Sequence, residues 1–113
     1  MDFNQYQEVA VGTAVYPSVG GNLVYPALGI AGEGGEYADK VKKMWRNRDC
    51  MSVACLSPQE RVDMAKELGD ILWYIAASAK ELGYYLDEIA SFNVEKILDR
   101  RKRGVVKSEG DNR

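Results

Sequence analysis

Residues 66–77 read KELGDILWYIAA, and this stretch decides the fold. From Ile71 to Ala77 the side chains are apolar or aromatic, so a helix formed here has no polar side and is expected in the core. Glu67 and Asp70 are three residues apart, which places both carboxylates on one helical face. Carboxylates this close to a core need partners. The stretch therefore predicts a buried helix that also carries a charged site.

A second carboxylate pair has the same spacing. Glu33 and Glu36 share one helical face with Lys40. If the two faces oppose each other, the four carboxylates form a cage that repels itself when empty and is stabilised by a divalent cation. The alternative is that these acids form ordinary surface ion pairs with Lys40, Lys66 or Arg61. Spacing alone leaves both interpretations open.

Length and charge limit the class of protein. The 113 residues have a formal net charge of -2 and are 46% hydrophobic, which suits one modest globular domain. We expect that domain at residues 1–104 and a polar tail at residues 105–113. The charge balance favours neither polymeric nucleic acid nor a membrane as a partner. No stretch approaches the roughly 20 apolar residues of a membrane span, and the N-terminus does not resemble a secretion signal, so we expect a cytoplasmic protein.

The chain contains no histidine. This excludes Ser-His-Asp and Cys-His nucleophile pairs and the zinc protease helix. A zinc site at Cys50 and Cys55 would need two further ligands. We expect these two thiols to be reduced in a loop, with an intramolecular disulfide as the alternative. A site built from carboxylate oxygens suits Mg²⁺, for which Mn²⁺ can substitute.

Hydrophobic periodicity and helix-end signals predict an all-α chain of four helices. The third has the clearest start, because residues 57–60 read SPQE, a capping box with proline at the first helical position. Gly83 and Gly104 are the expected stops of the third and fourth helices. The expected ranges are 2–14, 23–46, 58–82 and 86–103, with a loop at 47–56.

Glycines crowd the second helix around Glu33, at positions 29, 32, 34 and 35. Each glycine inside a helix costs up to about 1 kcal/mol against alanine. Close approach of another helix, close approach of a ligand, or a kink would explain them.

The fourth helix carries a stripe of cations with one amide. Its members are Asn93, Lys96, Arg100 and Arg103. Anionic oxygens are natural partners of such a stripe, although the dipole at a helix C-terminus also favours Arg and Lys. Aromatic rings that can stack on a base, or simply pack in the core, are those of Trp45, Trp73 and Tyr74.

Taken together, these motifs resemble a known family. GEGGE at residues 32–36, ADKVKK at 38–43 and KELGDILWY at 66–74 resemble the MazG-like nucleoside triphosphate pyrophosphohydrolases. The similarity continues through NVEKI at 93–97 and DRRKRG at 99–104, so it covers nearly the whole chain. One departure is a longer stretch between the two carboxylate pairs, with the excess in the loop around residues 50–57.

The resemblance implies an all-α four-helix bundle that assembles as a dimer or a dimer of dimers. It implies Mg²⁺-dependent hydrolysis of nucleoside or deoxynucleoside triphosphates to monophosphate and pyrophosphate. By position, the metal ligands and catalytic residues would be Glu33, Glu36, Glu67 and Asp70. The substrate contacts would include Asn93, Lys96 and Arg100, with Tyr74 in the pocket wall. Lys40, Trp45 and Arg103 complete the candidate substrate-binding set.

Two features of the chain bear on assembly and chemistry. The third helix is apolar around almost its whole circumference, more than three neighbouring helices can enclose, so a second subunit is expected. The resemblance suggests that a neighbouring subunit, including the tail near Asp111 and Arg113, helps to close the pocket.

Without a side-chain nucleophile pair, water must attack, with one glutamate accepting its proton.

Two other functions stay open. One is hydrolysis of phosphoribosyl-ATP or of a nucleoside diphosphate on the same scaffold. The other is a non-catalytic helical dimer that binds a nucleotide or a protein partner.

Overall fold

The computed structural model describes residues 1–104, and these form four α-helices and no β-strand. The helices are α1 (Phe3–Gly12), α2 (Val24–Arg48), α3 (Pro58–Leu82) and α4 (Leu86–Arg103). A short 3₁₀ turn, Val53–Cys55, lies in the loop between α2 and α3. The expected bounds of α3 and α4 are confirmed, α1 is shorter than expected, and α2 runs two residues further. The tail at residues 105–113 lies outside the described residues.

The helix ends follow the local sequence signals. Asp2 caps α1 and Ser57 caps α3, each in a reciprocal capping box with the residue three positions later. Gly83 and Gly104 end α3 and α4 with positive φ angles of 84° and 72°, a conformation that favours glycine. These boundaries need no tertiary information, which is why the sequence predicts them.

The two long helices, α2 and α3, pack against each other in antiparallel fashion. Three pairs mark the register along the interface: Gly29 meets Tyr74, Lys40 meets Glu67, and Arg48 meets Glu60. The last pair is bidentate, and Arg48 also donates to the carbonyl of Cys55 at 2.8 Å, which ties the loop to both helices. The antiparallel pairing brings the middle of α2 against the first half of α3, where both carboxylate pairs lie.

The core lies between α1, α3 and the start of α4. Ala10, Ala76, Ala79 and Leu86 are buried there, and the larger side chains packed around them are Tyr6, Leu72, Trp73, Ile75 and Ile89. Small residues at the centre let the helices approach closely, and the flanking aromatics fill the remaining volume.

A buried glutamine that no sequence pattern predicted joins three elements. Gln7 on α1 donates to the carbonyls of Ala76 and Tyr84 and accepts a 2.8 Å bond from the backbone N–H of Leu86. It therefore satisfies a backbone donor at the first turn of α4 while fixing α1 against α3.

The expectation of two reduced thiols is wrong. The structure joins Cys50 and Cys55 in a disulfide, with their α-carbons 6.2 Å apart. The physical reason is the 3₁₀ turn, which folds the loop back and brings the two α-carbons within the range that a disulfide spans.

Large apolar side chains remain on the surface of the described residues. Leu28 and Val24 on α2 are each 66% exposed, and Val94, Ile97 and Leu98 lie exposed on α4. No helix among residues 1–104 combines the length and apolarity needed to cross a membrane.

Candidate metal centre

Three carboxylates from the two long helices converge in the structure. One oxygen each of Glu33, Glu67 and Asp70 lies within 4.8 Å of the others. Glu33 comes from α2, while Glu67 and Asp70 come from successive turns of α3. Glu36 lies outside this group of three, although it is the acid that acts most strongly on Glu33. The carboxylate faces of α2 and α3 therefore oppose each other, which the spacing in the sequence could not decide.

Two carboxylate oxygens of the cluster are buried without a hydrogen-bond partner. They are Oε2 of Glu33 and Oε2 of Glu67. A buried, unpaired carboxylate oxygen is costly unless a cation compensates it. Mg²⁺ and Mn²⁺ prefer oxygen ligands of this kind. The donor set is of the kind that a hard divalent cation prefers, with Glu33 and Glu67 half-buried and Asp70 exposed.

The electrostatics of Glu33 agree with this interpretation. Burial raises the pKa of the Glu33 carboxyl, and the charges of Glu36, Asp70 and Glu67 raise it further. Without a cation, ionised Glu33 is therefore disfavoured in the folded protein.

Lys40 supplies a positive charge at one edge of the cluster. Its ammonium binds Oε1 of Glu67 at 2.5 Å, and the hydrogen bond to Glu67 raises the pKa of Lys40. The Lys40 side chain is 48% exposed, whereas that of Glu67 is 14% exposed. Surface ion pairs were the alternative to a metal site, and the structure contains one of them, between Lys40 and Glu67. Glu67 is nevertheless not part of a solvated face.

The ring of Tyr74 lies against α2 at Gly29. A methyl group added at Gly29 would overlap the ring, so close helix approach explains this glycine. Gly32, Gly34 and Gly35 meet no such neighbour among the described residues. Burial raises the pKa of Tyr74, followed by the effects of Tyr25 and Glu33. Tyr74 therefore lies near the carboxylates, and its role in a pocket wall stays a prediction.

An aromatic cluster extends from Tyr74 towards the loop before α2. Tyr16 and Tyr25 stack with centroids 5.0 Å apart, and Trp73 packs edge-on to Tyr74. Trp73 also donates to the Thr13 hydroxyl, so its indole is fixed within the fold. Two further tyrosines near the site were not predicted from the sequence: Tyr25, and Tyr6, whose pKa is raised by burial and by the charge of Asp70. Tyr6 lies on α1 and Tyr25 in the first turn of α2, and only the packing of these helices brings the two rings to the site.

A cleft of about 310 Å³ opens beside Lys40, between α2 and α3. Its walls are cationic, acidic and apolar in turn, and besides Lys40 they are formed by Lys43, Met44, Asn47, Arg48, Leu56, Glu60, Asp63 and Met64. Trp45 is 55% exposed and does not line it; it lies nine residues after Glu36, about 13 Å along the helix. A larger groove of about 770 Å³ between α1 and the α3–α4 turn contains none of the four carboxylates.

The cationic stripe occupies α4, which packs on α1 and α3. Arg100 is only 8% exposed, Lys96 is half-buried, and Asn93 is exposed. Arg103 forms an ion pair with Asp99 at 2.8 Å. Substrate contacts for Asn93, Lys96, Arg100, Arg103, Lys40 and Trp45 stay predictions.

Comparison with known proteins places these observations in a family context. The model of the MazG nucleotide pyrophosphohydrolase domain matches residues 26–105. The gene 37 protein of Mycobacterium phage L5 is 38% identical over 118 aligned positions, which cover both chains completely. No solved structure matches the chain. The matched range contains both carboxylate pairs and all of α3 and α4.

Proposed function

The chain belongs to the MazG nucleotide pyrophosphohydrolase family, and on that premise we propose that it hydrolyses nucleoside or deoxynucleoside triphosphates to monophosphate and pyrophosphate with Mg²⁺. The convergence of Glu33, Glu67 and Asp70, with two buried carboxylate oxygens left unpaired, carries this proposal. A nucleotide-processing site without a nucleophile pair needs a cation and an activated water, and this cluster is suited to both.

Glu33, Glu67 and Asp70 would hold the divalent cation. When bound, Mg²⁺ would offset charge on the triphosphate and on the departing pyrophosphate. It would also relieve the repulsion that raises the pKa of Glu33.

Glu36 is our proposed acceptor of the proton from the attacking water. It interacts with the Glu33 carboxyl but lies outside the group of three, so we propose that its carboxylate does not bind the cation. A general base must keep its lone pair free and lie within hydrogen-bond reach of water, and an exposed glutamate beside the cluster meets both conditions.

The remaining assignments concern substrate and assembly. Lys96 and Arg100 would bind phosphate oxygens, with Tyr74 forming part of the nucleoside wall. We propose a homodimer or homotetramer, because apolar residues on α2 and α4 are exposed in the single chain.

A substrate panel tests the reaction. It contains canonical and modified triphosphates, phosphoribosyl-ATP and nucleoside diphosphates, assayed with Mg²⁺, with Mn²⁺ and with chelator, and the products are separated by chromatography. We expect a triphosphate to give monophosphate and pyrophosphate in a single step that depends on the cation. Stepwise release of two orthophosphates, or full activity in chelator, would refute the proposal.

A further inference from the structure

The Lys40 ammonium binds Glu67, a carboxylate that the proposed divalent cation would also bind. Its ammonium neutralises Oε1 of Glu67, the residue whose other oxygen is buried and unpaired. The charges of Glu67, Asp63 and Glu36 all favour its protonated form. In the metal-free protein Lys40 therefore acts as a counter-ion to the carboxylate cluster.

A metal ion held by Glu67 and an ammonium on the same carboxylate repel each other. Even at the dielectric constant of water, a divalent and a monovalent cation about 5 Å apart repel by enough to change an affinity about tenfold. Three carboxylates bind a divalent ion more strongly than they bind an ammonium. The Lys40 ammonium is therefore the group that leaves Glu67.

The Lys40 side chain is able to move away. It is about half exposed, it lies on a flexible stem, and it lines the cleft of about 310 Å³ between α2 and α3. An ammonium released from Glu67 would therefore remain at the mouth of this cleft, beside the carboxylates. A phosphate oxygen of a substrate at the cluster is a natural acceptor there.

We propose that Lys40 is a tethered counter-ion that the divalent cation displaces from Glu67, and that the displaced ammonium then binds a phosphate of the substrate. This rests on the metal site of the proposed function but adds an ordered exchange of partners. Metal binding thereby prepares the phosphate contact, and by linkage a bound triphosphate favours metal binding.

The test measures Mn²⁺ affinity without nucleotide, by titration calorimetry at low ionic strength. Lys40→Met removes the charge, Lys40→Arg keeps it, and Lys42→Met is the matched control. Lys42 is two residues away on the same helix and pairs with Asp39 on the surface. We expect Lys40→Met to bind Mn²⁺ about tenfold more tightly than wild type, whereas Lys40→Arg and Lys42→Met stay within about threefold.

A second titration measures the substrate contact. With saturating Mg²⁺, Lys40→Met should bind a non-hydrolysable triphosphate analogue about tenfold more weakly than wild type, and Lys42→Met should bind it normally. Opposite changes in the two affinities from one substitution distinguish partner exchange from a purely structural role.

A measurement on the wild-type protein covers the case in which Lys40→Met does not fold. The ¹⁵N signal of the Lys40 ammonium should shift when Mg²⁺ alone is added, while that of Lys42 stays in place. An unmoved Lys40 signal in metal-loaded protein would overturn the proposal, as would equal or weaker Mn²⁺ binding by Lys40→Met. Wild-type protein that binds no Mn²⁺ would overturn the proposed function as well, so the two failures are distinguishable.

Discussion

At the scale of single residues, the two oxygens of Glu67 have different environments. Oε1 is bound by Lys40, and Oε2 is buried without a partner. Glu36 differs from both, because it is exposed and lies outside the group of three carboxylates. The four acids of the two pairs are therefore not equivalent, although their spacing in the sequence is the same.

Substitution should separate proton transfer from cation binding. Glu36→Gln is expected to lower turnover by about 10² to 10⁴-fold while Mn²⁺ affinity changes little, because it removes a base and no ligand of the group of three. Glu67→Gln should lower turnover and also weaken Mn²⁺ binding by more than about tenfold. Steady-state kinetics and calorimetry on both variants provide the comparison. Equal loss of Mn²⁺ affinity in both variants would make Glu36 a ligand instead.

The raised pKa of Glu33 predicts an unusual pH dependence of stability when the protein is kept metal-free by a chelator. Its pKa is raised on folding above the ordinary value of 4.5, so ionisation costs more in the folded than in the unfolded chain. Stability should therefore fall as pH rises from 4.5 through the raised pKa. The Glu33→Gln protein lacks this carboxyl. Its melting temperature should exceed that of wild type at pH values above the raised pKa, and the two should converge at about pH 4.

Thermal melts from pH 4 to 8 with chelator check this, with Glu95→Gln on the exposed face of α4 as the control. A Glu33→Gln protein that melts below wild type throughout the range would contradict the repulsive cluster.

At the scale of elements, the α2–α3 pair positions the site. Gly29 sets the separation at one end, and the Arg48–Glu60 pair closes the other. Beyond the Gly29 contact, near the C-terminus of α3, Glu81 accepts hydrogen bonds from the Tyr16 hydroxyl and from the backbone N–H of Gly20. These bonds fix the loop before α2. The carboxylates thus lie on two helices held at both ends.

Gly29→Ala tests the close approach. The added methyl group overlaps the Tyr74 ring, and overpacking of this kind costs roughly 1–3 kcal/mol, partly offset by up to about 1 kcal/mol of helix propensity. We expect a net loss of up to about 2 kcal/mol in urea unfolding. Gly69→Ala on α3 meets open space among the described residues and should be neutral or stabilising. A similar loss at both positions would show that Tyr74 is not the cause.

At the scale of the whole molecule, the exposed apolar side chains predict assembly. Val94, Ile97 and Leu98 share one face of α4, at the spacing of helical neighbours. Light scattering coupled to size exclusion at low micromolar concentration should give the mass of two or four chains.

Leu98→Lys should shift the population towards the mass of one chain, because a buried charge at an interface is costly. Asp99→Lys, about 100° or more round the helix from Val94, Ile97 and Leu98, should leave the mass unchanged. A wild-type protein that is active at the mass of one chain would refute the oligomer.

Features that depend only on neighbours along the chain are predictable from the sequence alone. The capping box at Ser57 and the glycine stops at Gly83 and Gly104 act within a few residues, so the bounds of α3 and α4 were predictable. The three-residue spacing of each carboxylate pair likewise determines a shared helical face. The all-helical class and the family resemblance follow from the same local patterns.

Which groups meet across helices depends on how the helices pack. It selects Glu33, Glu67 and Asp70 for the cluster, and it seats Lys40 on Glu67. It also buries Gln7 between three elements and brings the two cysteines together. These outcomes depend on the register and separation of α2 and α3 and on the fold of a short loop. Helical spacing within one segment carries no information about the distance to another, so such contacts appear only when the chain is packed.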